Sequence, residues 1–415
     1  MRRTSIAVLG CALSLTVAAC GGSAPSGTTD SESSGGDGGP IKIGSLHPIS
    51  GDLAVDGQQM DNGAKLAVEA INHAGGIKSL DGAKLQLMSG DTQGEPETGQ
   101  SEAERLIQEG AVGLVGTYQS DVSANVSAVA ERNEVPFVID VSSDDAILQQ
   151  GYKNTFRVQP SSSVMGTEGA RYLNDISSAA GEPAKKVAIL HEYGPFGTAV
   201  SSSFTAEAKK LGMQVGPVIS YDPLSVTDLT TQMTKVKAAG VDVLVVTGYY
   251  SDSVLAADAV KTVQPQLDAV FGVADGAYDL PQFPEQVGAA GEGYFDSNYH
   301  ADMTNPEMQK LASLYQERFG EEIRTGAVLA YDAVRVIASG LEEAGDADPT
   351  AVRDAIAQGE FETLIAGNGP ITFSDTGENE NAVPILMQVQ KGEVVQVHPD
   401  DFTESDPMYP AAPTQ

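Results

Sequence analysis

A nucleophile, a zinc ion or a phosphate loop each demands particular residue types at particular spacings, and this sequence holds none of the three. There is no G-x-x-x-x-G-K-[ST] loop to cradle phosphates, no G-x-S-x-G turn to expose a serine and no H-E-x-x-H helix to grip zinc. The five histidines, His47, His73, His191, His300 and His398, are far apart in sequence with no ligand spacing. Each reads as a surface or loop residue, and no metal or other cofactor is expected. Adjacent acids such as Asp144 and Asp145 could divide general acid and base roles, because catalytic groups assemble from distant segments. Loop acids of this kind more often face solvent, and an enzyme is not expected. What remains are hydroxyls, rings and carboxylates standing just past apolar runs. Ser120 follows AVGLVG, Ser142 and Ser143 follow VPFVID, Tyr249 follows VDVLVVTG, and Asp275 ends AVFGVAD.

The elements that must position these groups are legible in the spacing of apolar residues. From Ile41, short β-rich runs alternate with helical patterns: IKIGSL, Gly57 to Ala74, KLQLMSGD, Pro96 to Glu109, AVGLVG, Val122 to Glu134 and VPFVID. In the first helix Met60, Ala64, Ala67 and Ile71 share one face while Asp61, Lys65 and Glu69 take another. A second set starts near Phe156-Arg157-Val158 and continues through strands KKVAILHE, MQVGPVISY, VDVLVV and AVFGV, with helices from Ser163, Phe196, Val226 and Asp252. Helices at 305–319, 325–343 and 350–358 follow, then strand-like GPITFSD and a hairpin turning at Lys391-Gly392. Alternation of this kind predicts βαβ units and parallel sheets, and 415 residues are too many for one core, so two α/β lobes are expected.

Sheets of this type hold ligands in crevices beyond the carboxyl ends of their strands, where the five residues above fall. Ser120 could offer its hydroxyl and nearby N–H groups to a carboxylate, or simply cap the next helix. Ser143 has the same alternative as a cap on 144–150, and Asp275 reads equally as a turn aspartate in Ala274-Asp275-Gly276.

Arg2 and Arg3, an apolar run from Ile6 to Ala19 and the tetrapeptide Val17-Ala18-Ala19-Cys20 resemble a lipoprotein signal peptide with its lipobox. The resemblance implies removal of residues 1–19, lipidation of Cys20 and a membrane anchor, with the folded part extracytoplasmic. Residues 20–40 then form a Gly/Ser-rich linker, spanning on the order of 25 Å as a flexible coil. Cys11 would leave with the signal peptide, so no disulfide is expected within the mature chain. A formal charge of −33 sets the surface against phosphate backbones, and no nucleic-acid partner is expected.

From Ile41 to Pro399 the chain resembles the leucine/isoleucine/valine-type periplasmic binding proteins. The landmarks are IGSLHPISGDLAVDGQQMDNGAKLAVEAINHAGGI, DTQGEP, GYKNTFRVQPSSS and YDAVRVIASGLEEAG, in that order. The resemblance implies a type I periplasmic binding protein fold: two doubly wound α/β lobes, three hinge crossings and a ligand cleft between. By position the crossings fall near 157–159, 297–299 and 369–372. Lobe 1 is then 41–157 plus 299–369, lobe 2 is 158–298 plus 370–399, and 400–415 is a C-terminal tail. It further implies a ligand carboxylate at Ser120, a backbone carbonyl at Val141 and a hydroxyl at Ser143 beside Ser142. Tyr249 and Asp275 stand where the family uses an aromatic ring and an acid for the ligand ammonium. Phe196 stands where many relatives have tyrosine, and Asp56 where branched-chain binders have an aromatic residue. With Asp140 and Asp144, Asp56 motivates the expectation of a polar or cationic amino-acid-like ligand, against the plainer reading of exposed loop acids. The function implied is capture of an amino-acid-like small molecule and delivery to the permease and ATPase subunits of an ABC importer. One ligand per monomer is expected. The alternative is an anchored sensor of the same fold working through a signalling partner.

Overall fold

The computed structural model describes residues 39–367, 369–400 and 403–413. The expected signal peptide, the lipidated Cys20 and nearly all of the linker lie outside the described residues. No described helix is long and apolar enough to cross a membrane.

The first lobe opens with β1 (Ile41–His47), α1 (Ala54–His73), β2 (Leu85–Asp91), α2 (Pro96–Gln108), β3 (Ala111–Gly116), α3 (Ser120–Arg132), β4 (Phe137–Ile139) and β5 (Thr155–Arg157). Its strands form one parallel sheet in the order β2-β1-β3-β4-β5. Such a sheet is covered on both faces, which is why AVGLVG and FVI are continuous apolar runs and not alternating ones. Asp61, on the polar stripe of α1, is nonetheless buried, because the hydroxyls of Ser45 and Ser89 donate to its Oδ1 at 2.8 and 2.7 Å.

The second lobe follows with α4 (Ser162–Ala179), β6 (Lys186–Glu192), α5 (Pro195–Lys210), β7 (Gln214–Tyr221), α6 (Thr230–Ala239), β8 (Val243–Thr247), α7 (Tyr250–Val263), β9 (Ala269–Val273), α8 (Gln282–Val287) and β10 (Phe295–Asn298). Helix α6 begins four residues later than expected from Val226. Asp222 and Asp228 hold the preceding segment in turns, accepting from Leu224 N and Thr230 N at 3.1 and 3.0 Å.

The chain then returns to the first lobe as α9 (Pro306–Phe319), α10 (Thr325–Ala344) and α11 (Pro349–Gln358), followed by the short pair β11 (Glu360–Phe361) and β12 (Ile371–Thr372). Val328, Val334, Ile337 and Leu341 of α10 share a core with Ile43, Val115 and Val138. The last strands, β13 (Ile385–Gln390) and β14 (Glu393–His398), complete the second sheet, whose order is β14-β13-β10-β9-β8-β6-β7.

Three segments therefore connect the lobes, after β5, after β10 and after Phe373. The third lies later than the expected 369–372. Ile371 pairs with Phe361, and Phe373 packs on Phe156 at 5.0 Å, so these apolar residues hold the chain on the first core before it passes over. The first and third segments are laced together. Arg157 N donates to Gly377 O at 2.9 Å, Asn379 Nδ2 donates to Val158 O at 2.7 Å, and the Arg157 guanidinium meets Glu378 at 3.2 Å. The described part of the tail lies against the second lobe: Gln388 Nε2 donates to Met408 O at 2.9 Å and Ala411 N to Asp268 O at 2.7 Å.

Candidate functional site

The turns beyond β3 and β4 of the first lobe face those beyond β8 and β9 of the second, across the segment that carries Tyr299. Two cavities, of about 30 and 50 Å³, meet there and share Tyr118, Val141, Asp275, Gly276 and Tyr299 as walls. Ser120, Ser142, Ser143, Phe196 and Tyr249 line the smaller one, and Asp56 lines the larger. All eight residues singled out from sequence are thus brought together, from segments up to 219 positions apart, Asp56 to Asp275.

Ser120 is the first helical residue of α3 and does not cap it. Its Oγ accepts instead from the backbone N–H groups of Ser143 and Asp144, at 3.3 and 3.2 Å, bracing the loop after β4. Ser143 is not a cap either. Its hydroxyl lies 2.8 Å from that of Ser162 and its carbonyl accepts from Ser162 N at 2.8 Å, so it ties this loop to the start of α4. The capping falls to Asp144, which accepts from Ala146 N at 3.2 Å. Ser142 meets the Ser123 hydroxyl at 2.5 Å, and Val141 O accepts from Gln159 Nε2 at 2.5 Å.

From the second lobe, Tyr249 precedes α7 and its ring stands 5.2 Å from Tyr118 and 5.8 Å from Phe196, so aromatic contact bridges the lobes. Gly276 is required beside it: a Cβ there would come within 2.8 Å of Tyr250 N. Asp275 is fully buried. The Ser253 hydroxyl donates to its Oδ2 at 2.7 Å, and Ala277 N and Tyr278 N donate to Oδ1 at 3.0 and 3.3 Å. It is a turn aspartate and a cleft residue at once. Burial pushes its carboxyl well above the usual carboxylate range, opposed by the Ser253 hydroxyl and the Ala277 N–H.

The expectation that Asp56, Asp140 and Asp144 add free negative charge to the cleft is not met. Asp56 pairs with Arg324 at 2.6 Å, and Asp140 pairs with His47 at 2.6 Å where both side chains are fully buried. Asp144 caps its turn and lines neither cavity. His47 is accordingly no surface residue, because Asp140 and Ser45 satisfy both ring nitrogens inside the core. Among the described residues no group of three or more His, Cys, Asp or Glu could hold a metal ion.

Sequence reasoning passed over Tyr118, Asp252 and Arg324. Tyr118 carried a usable signal, lying in the same post-strand turn as Ser120. Arg324 carried none, since its partner Asp56 is 268 positions away.

Two doubly wound lobes with three connecting segments and a cleft walled by turns from both define the type I periplasmic binding protein fold. The periplasmic binding protein family model matches residues 40–393, and the chain belongs to that family. The chain is 30% identical to a Leu/Ile/Val-binding protein homolog 7 of Brucella suis biovar 1 (strain 1330), over 87% of this chain and 92% of the relative. In structure it resembles the leucine binding protein LivK of Thermotoga maritima, with a TM-score of 0.74, 24% identity and coverage of 87% and 99%. It also resembles the branched-chain amino acid transporter substrate binding protein LivJ of Streptococcus pneumoniae, solved in complex with isoleucine. There the TM-score is 0.73, the identity 24%, and the coverage 86% and 99%.

Proposed function

We propose that this chain is the extracytoplasmic solute-binding component of an ABC-type importer, held at the membrane by lipid on Cys20. It captures one amino-acid-like molecule per monomer by closure of the lobes and delivers it to the permease and ATPase subunits, without chemical turnover. Lobe 1 and lobe 2 are the moving bodies, and the three connecting segments are the hinge. The observation that carries the reading is the convergence of hydroxyls, a backbone carbonyl, aromatic rings and the buried Asp275 from both lobes on the same two cavities. Ser120, Ser142 and Ser143 supply donors for a ligand carboxylate, while Val141 O and Asp275 face its ammonium. Phe196 and Tyr249 cover its hydrocarbon. An ammonium beside Asp275 would offset the desolvation that raises its pKa, which makes closure around an amino acid favourable.

Titration calorimetry of the purified protein against a panel of amino acids, amides, organic acids and sugars tests this. An amino acid is expected to bind with one site per chain, and Asp275→Asn to weaken it by about 10- to 100-fold, the equivalent of one charge-assisted hydrogen bond. Binding of sugars or organic acids alone would refute the ligand class and the role of Asp275 together.

A further inference from the structure

The larger cavity ends on the ion pair of Asp56 and Arg324. The pair is held in place on several sides. Asp56 lies in the first turn of α1, and Arg324 directly precedes α10. Gln59 Oε1 accepts from Arg324 N at 3.3 Å, and Gln59 Nε2 donates to Glu322 O at 3.1 Å, so α1 pins the loop that carries the arginine. The guanidinium carbon lies 4.8 Å from the centre of the Tyr250 ring in the second lobe. Arg324 and Asp56 side chains are only 12% and 13% exposed.

Held this way, the pair is incompletely used. Arg324 Nη1 donates to Asp56 Oδ1, whereas Nε and Nη2 donate no hydrogen bond to any described residue. Asp56 Oδ2 receives only the Tyr118 hydroxyl, at 3.4 Å. A group entering this cavity meets N–H donors beside a carboxylate acceptor, in a pair that itself carries no net charge. Asp279, which also lines the cavity, adds an acid with His300 Nδ1 at 3.4 Å. An anionic end group would meet Asp56 and Asp279, an ammonium has no acceptor to offer the unused N–H groups of Arg324, and a hydrocarbon would leave buried donors and acceptors unpaired, which costs more than a neutral pairing returns.

We infer that Asp56 and Arg324 select an amino acid whose side chain ends in a neutral group that both accepts and donates hydrogen bonds, of the carboxamide class. Its carbonyl accepts from Arg324 and its NH₂ donates to Asp56. The inference rests on the proposal that the adjoining cavity holds the α-amino and α-carboxylate groups. It separates this chain from aliphatic binders by chemistry, since a leucine side chain can satisfy neither member of the pair.

The test is calorimetric titration of the full chain with glutamine, asparagine, glutamate, lysine and leucine. A carboxamide amino acid is expected to bind at least tenfold more tightly than leucine or glutamate. Asp56→Asn leaves Arg324 unopposed and should move the glutamine-to-glutamate preference at least tenfold toward glutamate. Arg324→Gln should move it toward lysine, with circular dichroism confirming the fold. Should Arg324→Gln not fold, the near-isosteric Asp56→Asn reads the same question. Leucine as the tightest ligand, or an unchanged preference in Asp56→Asn, overturns this inference and leaves the solute-binding proposal standing. Absence of binding by every amino acid overturns both.

Discussion

Asp252 is the acid whose protonation bears most directly on the cleft, because it fixes the residue that closes it. Its Oδ2 accepts from Tyr249 N at 3.2 Å and from the Tyr221 hydroxyl at 2.5 Å. Burial drives its carboxyl up from 3.8 to about 7, against the hydrogen bond from Tyr221. An acid whose folded pKa lies above its unfolded value holds its proton more tightly when folded. Its contribution to stability is therefore complete below about pH 4 and is lost as the pH climbs through 7. Asp252→Asn should remove that slope. The Tm of the wild type, relative to the variant, should fall steadily from pH 4 to pH 8, with an upper bound of about 4 kcal/mol for the change from a shift of roughly three units. Parallel Tm curves across this range would show that Asp252 does not titrate there. Sequence placed Asp252 only at the start of a helix. Its role depends on Tyr221, 31 positions earlier, and no local spacing announces such a pair.

At the scale of elements, the approach of α1 to α10 sets where Asp56 and Arg324 meet. Gly63 makes that approach possible, since a Cβ at this position would overlap the carbonyl of Ala327 in α10. Backbone cannot rotate aside as a side chain can, so Gly63→Ala should separate the helices at a cost of about 1–3 kcal/mol. Chemical denaturation should record a lower midpoint at unchanged slope. Ligand affinity should drop with it, and full affinity in the variant would show that helix spacing does not set the site. Elements of this lobe were legible because parallel strands are continuous apolar runs and their covering helices repeat every three to four residues. The delayed start of α6 and the late third crossing were not. Asp222 and Asp228 act through local hydrogen bonds that apolar periodicity ignores, and Phe373 is held by Phe156, more than 200 positions away. The candidate site was legible where it follows strand ends and hidden where it depends on pairs such as Asp56 with Arg324.

For the whole molecule the question is what holds two lobes together across a cleft whose hinge is only three segments. Beside the hinge, Ser143 meets the Ser162 hydroxyl at 2.8 Å and Asp145 accepts from Ser163 N at 3.0 Å; farther out lie Tyr118 on Tyr249 at 5.2 Å, Arg324 over Tyr250 at 4.8 Å, and Gln282 Nε2 donating to Glu322 Oε2 at 3.5 Å. The last is at the limit of a hydrogen bond, and Tyr118 and Tyr249 both line the site, so Tyr250 offers the cleaner handle on closure. A cation–π contact of this exposure is worth about 0.5–1 kcal/mol. Tyr250→Ala should therefore move the open-to-closed ratio by roughly two- to fivefold, and apparent ligand affinity should weaken by the same factor, since only the closed population binds fully. Small-angle scattering of the ligand-free variant should give a larger radius of gyration than the wild type, and saturating ligand should bring the two together. If affinity falls while the radii agree without ligand, Tyr250 contributes through local contact and not through closure. If neither changes, the arginine–tyrosine contact carries no part of the closing free energy, which then rests on the hinge segments laced by Arg157 and Asn379 and on the contacts of Ser143 with Ser162 and Tyr118 with Tyr249.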